Sequence, residues 1–297
     1  MTGIEKIIAK IREDAIETSN KILDDAKSEA DAIFLEAEIE AEKKEKEIIE
    51  NAQNNAKSII SMAESSSKME YRDILLKERA NLIESIINGS YADYKLWIFD
   101  DGSTDDTVSV IYEFVKENPE KIIFHQNERK KGVTGNFLEG VRYAANINEQ
   151  ERKEQRSKFP ETDEECFNIR DYYMFCDQDD VWMPDKISKT MIYMKKLERK
   201  FGQDHPLAVF TDAYVVDSKL NVLERSFHKS NHLDTKKVDL PHILMENKLI
   251  GCTMMFNEPV QKLMIKEPVH ARYHDWWVAL IAAAFGHIGY LPYPTLL

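Results

Sequence analysis

Residues 97–107 read WIFDDGSTDDT. A short apolar run, two carboxylates, a glycine and a group of hydroxyl and carboxylate residues predict a strand, a tight turn and the start of a helix. Asp100 and Asp101 then sit at the carboxyl end of a strand, where an open α/β sheet presents its ligand crevice. Acceptor-only carboxylates in that place suit the N–H edge of a pyrimidine or the hydroxyls of a ribose. The same residues suit a plain turn in which Ser103, Thr104 and Asp105 cap the next helix, and the two uses are compatible.

Outward from this stretch, residues 88–297 alternate between strand-like and helix-like segments. Strands are expected at 95–99, 121–125, 172–176 and 207–216, and helices at 107–117, 136–145, 185–200 and 275–285. Residues 146–170, polar and with Pro160, read as an inserted surface loop. Strands alternating with helices predict an α/β domain with a mostly parallel sheet.

Two further carboxylate clusters lie in this half. In MFCDQDDVW at 174–182, Asp177 and Asp179 follow an apolar strand at alternate positions, so both can face one crevice and share a divalent cation through oxygen ligands. Such an ion would offset the charge that develops on a departing diphosphate. In YHDWW at 273–277, Asp275 stands beside Trp276 and Trp277 at a helix start. A carboxylate shielded from water holds its proton more tightly and can serve as a general base, while the indoles could stack on a sugar face. The plainer reading is a capping aspartate followed by core tryptophans. His228/His232 and His270/His274 are four apart, but neither pair carries the adjoining glutamate of a zinc protease, and no cysteine pair supports a structural zinc.

The text before residue 88 is different. Residues 1–88 hold two aromatics, Phe34 and Tyr71, whereas residues 89–297 hold 27. Net charge is −7 in the first part and −6 in the second, so neither offers a basic face and nucleic acid is excluded as an expected partner. Small and apolar residues recur every eleven positions, as in Ala15, Ala26, Ala37, Ile48, Ile59 and in Ile11, Ile22, Ile33. That interval predicts a straight or slightly right-handed coiled-coil helix over residues 1–87, supported by Glu40/Lys44 and similar i,i+4 pairs and needing a partner helix. Cys166, Cys176 and Cys252 form no CxxC, and the opening does not read as a leader, which suggests a reduced, cytoplasmic chain. The longest apolar stretch, 276–285, is too short to cross a bilayer, so any membrane contact is expected from the inner face.

Taken together and in this order, the three carboxylate clusters resemble the inverting family 2 glycosyltransferases of the GT-A fold, in their rhamnosyltransferase-like form. KKGVTGNF at 130–137, DQDDVWMPDKI at 177–187 and GCTMMFN at 251–257 fit as well. The resemblance spans about residues 82–297. It implies that Asp100 and Asp101, with Gly132, Asn136 and Asp177, bind the nucleotide, that Asp177 and Asp179 hold Mn²⁺ or Mg²⁺, and that Asp275 is the base. It implies a sugar or acceptor site at Gly251, Cys252, Thr253, Trp276 and Trp277. The donor would be a dTDP- or UDP-linked sugar and the acceptor a polysaccharide or glycolipid. Relative to that family the domain is expected to be incomplete at both ends, lacking the opening strand and the segment after residue 297. MTGIEKIIAKI and LLKERANLIESII resemble instead the amino-terminal stalk helix of the E subunit of archaeal- and vacuolar-type rotary ATPases, which implies a stator role for residues 1–87. The chain reads as a chimera of two unrelated pieces.

Overall fold

A computed structural model describes residues 2–158, 170–217, 219–264 and 272–297. The first element is an 85-residue helix, α1 (Gly3–Ile87). Then follow β1 (Leu96–Asp100), α2 (Thr107–Glu117), β2 (Ile122–Gln126), α3 (Gly132–Lys158), β3 (Tyr172–Met174) and α4 (Lys186–Phe201). The remainder comprises β4 (Leu207–Asp212), β5 (Val215–Val216), β6 (Val222–Glu224), α5 (Phe227–Ser230) and α6 (Leu240–Met245). It closes with β7 (Met254–Asn257), α7 (Glu258–Leu263), α8 (His274–Phe285) and β8 (His287–Pro294).

The chain divides into two compact units, residues 1–70 and 71–297. The first is helix alone. Its apolar residues, among them Ile11, Ile22, Ile33 and Phe34, are exposed, and ion pairs such as Lys44–Glu40 at 2.7 Å and Lys10–Asp14 at 3.2 Å run along it. Each such pair is worth only ~0.2–0.5 kcal/mol. The boundary falls earlier than the expected 87/88. The reason is packing: Leu82, Ile83 and Ile86 are buried among Leu96, Ile111 and Ile122, and Arg79 pairs with Asp105 at 2.9 Å and bonds Thr107 at the start of α2.

Among the described residues of the second unit the strands fall into three sheets. β1 and β2 form a parallel pair in the register Leu96↔Ile122. β3, β7, β4 and β8 form a four-stranded sheet in that order, and β5 and β6 form a small hairpin. The four-stranded sheet is mixed, not mostly parallel, because β7 runs antiparallel to both β3 and β4 while β4 and β8 are parallel. Each residue of β4 and β7 is buried, so neither strand shows the alternation of a half-exposed one. One core layer collects Phe175, Phe210 and Phe256 with α3 and α8, and another collects Met194, Leu207 and Met255 with α4.

Residues 146–158, expected to be loop, belong to α3, where pairs such as Glu149–Lys153 at 2.6 Å favour the helix; residues 159–169 lie outside the described set. α8 ends at Gly286 because a Cβ there would lie 1.7 Å from the Pro206 carbonyl oxygen. Only glycine lets the helix end come that close to the segment entering β4.

Candidate active site

The carboxyl end of β1 turns at Gly102, whose φ of +85° favours glycine. Asp100 is 4% exposed and accepts the N–H groups of Gly102 and Ser103 at 3.2 Å and the Gln126 amide at 3.3 Å. Its oxygens are engaged by the turn and by Gln126 at the end of β2, so it braces the turn. Asp101 reaches across to the start of α3, where it accepts the N–H groups of Lys131 and Gly132 at 2.8 Å and the Asn127 amide at 2.9 Å. Burial alone would raise its pKa, but these donors and the Lys130 charge hold it below the usual carboxylate value. Asn136 accepts from Asn127 at 2.8 Å and donates to the Phe99 carbonyl at 3.0 Å. Asp101, Gly132 and Asn136 are thus linked through one hydrogen-bonded corner.

DQDD does not continue the strand. β3 ends at Met174, and residues 178 and 179 form a turn. Across that turn the partners are therefore three apart: oxygens of Asp177 and Asp180 and the Cys252 sulfur lie within 4.8 Å of one another. Asp179 is exposed at the tip of the turn and lines the same cavity as Asp177. Burial, and then the charges of Asp180, Asp179 and Asp275, push the Asp177 carboxyl up to about 6. Asp180 is raised by burial, against the Cys252 thiol that bonds to it and the Lys186 charge, and its Oδ2 is buried without a hydrogen-bond partner. Asp180 was not singled out from sequence because a strand alternation selects i and i+2, whereas a turn selects i and i+3.

Asp275 opens α8. Burial raises its pKa even though the N–H groups of Trp276, at 2.6 Å, and Gly251, at 3.1 Å, donate to it. Gly251 is required by close approach, since a Cβ there would lie 2.9 Å from Nε2 of His274. His274 stacks on Phe137 at 4.0 Å between centroids, has no hydrogen-bond partner on either nitrogen, and is brought down to about 4 by burial.

Several expected sugar contacts are placed elsewhere. Thr253 is fully buried with its hydroxyl on the Ile250 carbonyl at 2.8 Å, and the buried Cys252 thiol faces Asp180, so neither side chain presents itself to a sugar. Trp276 donates its indole N–H to the Ile243 carbonyl at 2.7 Å, and it and Trp277 pack against the core layer of α8. That is the plainer of the two readings of this motif. His228, a buried zinc candidate like His274, is held instead by Asp212 at 3.0 Å and by the Lys248 carbonyl at 2.9 Å, while His270 lies outside the described residues.

The acidic loop is mounted from behind. Val181 and Leu297 exchange backbone hydrogen bonds at 3.1 and 2.9 Å, and Met183 donates to the Thr295 carbonyl at 2.9 Å. Lys186, fully buried, donates to Thr295 Oγ1 at 2.9 Å and lies over the Trp182 ring; burial brings its pKa down to about 8.

Two convergent carboxylates, one with an oxygen buried without a partner, fit a hard divalent cation such as Mg²⁺ or Mn²⁺. Burial and the neighbouring carboxylates raise the Cys252 thiol pKa, which disfavours the thiolate that zinc would select.

Residues 78–146 match the family model described as Glycosyl transferase family 2. That span contains Asp100, Asp101, Gly132 and Asn136 and ends before DQDD and YHDWW. Among solved structures the chain is similar to the mannosyltransferase PcManGT from Pyrobaculum calidifontis, in complex with GDP-Man and Mn²⁺, at 12% identity and a TM-score of 0.48 over 73% of this chain. The chain spans about half of that protein, 51% of its length. Among the described residues no helix is long and apolar enough to cross a membrane.

Proposed function

We propose that residues 71–297 form a metal-dependent inverting glycosyltransferase that moves a sugar from a dTDP- or UDP-linked donor to a hydroxyl of a polysaccharide or glycolipid. The observation that carries this reading is the meeting of Asp177 and Asp180 across their turn, with the charge of Asp275 felt at Asp177. Asp101, Gly132 and Asn136 form the corner that receives the nucleoside. Asp177 and Asp180, with Asp179 at the rim, would hold Mg²⁺ or Mn²⁺, whose charge offsets that of the diphosphate. Asp275, kept basic by burial, takes the proton of the acceptor hydroxyl. The acceptor oxygen forms its bond to the anomeric carbon from the face opposite the diphosphate. The bond from that carbon to the diphosphate oxygen breaks in the same step, and the configuration inverts.

Calorimetric titration with UDP and dTDP, with and without Mn²⁺, tests the reading. Metal-dependent binding that Asp177→Asn removes supports it, and binding indifferent to both metal and substitution sinks it. Asp275→Asn is expected to keep that binding and lose transfer to an acceptor, which separates the base from the metal group.

The exposed eleven-residue stripe of α1 supports a second, independent role: residues 3–70 pair with a partner helix. Replacing Ala26, Ala37 and Ile48 by Asp should abolish any such association in sedimentation, and association that survives these changes rejects the seam.

A further inference from the structure

β1 is hydrogen-bonded along one edge. Leu96 donates to the Lys121 carbonyl at 2.7 Å, and Asn127 donates to the Asp100 carbonyl at 2.9 Å. In a parallel ladder the N–H and C=O of one residue point to the same side, so residues 96, 98 and 100 face β2 while Trp97 and Phe99 face the other edge. The Phe99 carbonyl is taken by Asn136, which, among the described residues, leaves the N–H of both residues and the carbonyl of Trp97 without a partner. β3 likewise has a ladder on one edge, with β7.

Both free edges border one cavity of about 1650 Å³. The side chains of the two strands sort into the same two layers. Leu96, Ile98 and Met174 pack with Ile83 and Ile86, while Tyr173 and Phe175 pack with Val141 of α3 on the other side. The helices therefore bridge two sheet halves that do not touch through hydrogen bonds. At one end of the cavity lie Asp101 and Asp177, which follow the carboxyl ends of β1 and β3, so the two strands run the same way. At the other end lie Lys95, Glu151 and Asp171. Between these ends the walls, formed by Leu82, Ile83, Ile86, Val141 and Ala144, are apolar.

The geometry points to a receptor groove for one extended apolar segment of a second polypeptide, which enters between β1 and β3 as a strand parallel to both. Two facing rows of backbone donors and acceptors specify an extended backbone, the mode of recognition by strand addition. Charge complementarity specifies its sequence: uncharged and apolar across the middle, with no proline, and polar only where it emerges at the charged ends. To match five-residue β1 it needs an extended length of ~17 Å at ~3.3 Å per residue. Its carboxyl end would emerge beside Asp101 and Asp177, so an occupant also bears on the carboxylate site.

The test uses the whole protein and two synthetic peptides, acetyl-Ser-Val-Val-Ile-Ile-Val-Thr-Lys-amide and the same peptide N-methylated at alternate apolar residues. Amide hydrogen exchange is followed by mass spectrometry. The expected result is exchange slowed roughly tenfold or more in the segments carrying β1 and β3 with the first peptide and not with the second. Three results overturn the proposal. Unchanged exchange at saturating peptide removes the groove. Equal protection by the N-methylated peptide makes the cavity a general apolar site. Protection that rises with protein concentration in the absence of peptide assigns the groove to a second copy of this chain. None of these readouts involves sugar transfer or metal, so they leave the proposed activity untouched.

Discussion

Replacing Asp177 by Asn should stabilise the metal-free protein. In the fold, burial and the charges of Asp180, Asp179 and Asp275 raise the Asp177 carboxyl from 3.8 to about 6. The folded state therefore holds this proton more tightly than the unfolded chain does. Stability falls as pH rises from about 4 to about 6 and remains lower above that range, because the unfolded state releases the proton first. At ~1.4 kcal/mol per tenfold change in proton affinity, the carboxylate costs up to about 3 kcal/mol at neutral pH, and residual solvent access reduces that to about 1–3 kcal/mol. Urea denaturation in chelator at pH 7.5 should show the variant more stable by this amount, and at pH 4 the difference should shrink towards zero. Adding Mn²⁺ should reverse the order, since an ion that binds only the folded state stabilises the parent protein in proportion to the logarithm of its concentration. A variant less stable than the parent in chelator at pH 7.5, or one that gains as much from Mn²⁺, refutes the argument that these carboxylates repel one another and await a cation.

Asp212→Ala should cost about 3–5 kcal/mol, because it leaves His228, Ser226 and Tyr290 without their shared acceptor in a buried site. Burial alone would raise Asp212, but the His228 and Ser226 hydrogen bonds and two backbone N–H groups hold it far below the ordinary value. Its contribution is thus full above about pH 4 and is lost as pH falls, so the variant's deficit in urea midpoint should narrow in acid. Gly251→Ala should destabilise by about 1–3 kcal/mol through collision with His274, readable in the same assay. Deleting residues 2–70 should leave the urea midpoint of residues 71–297 unchanged; a fall would show that the first unit supports the second.

How much of this was legible in the sequence depends on which force set each element. α2 was predicted at its observed limits, 107–117, because its amphipathic run begins just after a turn rich in aspartate and serine. β7 was missed: MMFN is buried on both faces, so it has no alternation to read, and its antiparallel course turned an expected parallel sheet into a mixed one. The length of α3 was missed because a polar helix held by i,i+4 pairs has the composition of a loop. At the acidic loop, the strand reading paired Asp177 with Asp179, whereas the turn at residues 178 and 179 brings Asp177 to Asp180. Cys252 and Thr253 carried no sign of which way they face, since burial in a 3-10 turn is decided by the sheet beneath it. Asp101, Gly132 and Asn136, expected to share one site, do meet in one hydrogen-bonded corner, although the bonds that join it span some thirty residues, as between Lys131 and Asp101 with a separation of 30.

The backbone exchange between Val181 and Leu297 makes the last few residues a splint for the acidic loop. A carboxylate pair held by its preceding strand alone would fan apart under its own repulsion. Splinted through Met183, Thr295 and Lys186, it stays drawn together, so entry of the proposed ion would require no reordering of the chain. Capture should then be fast and nearly free of conformational entropy. If the proposed cation binds there, Thr295, which holds Lys186 and Met183, should set how quickly it escapes.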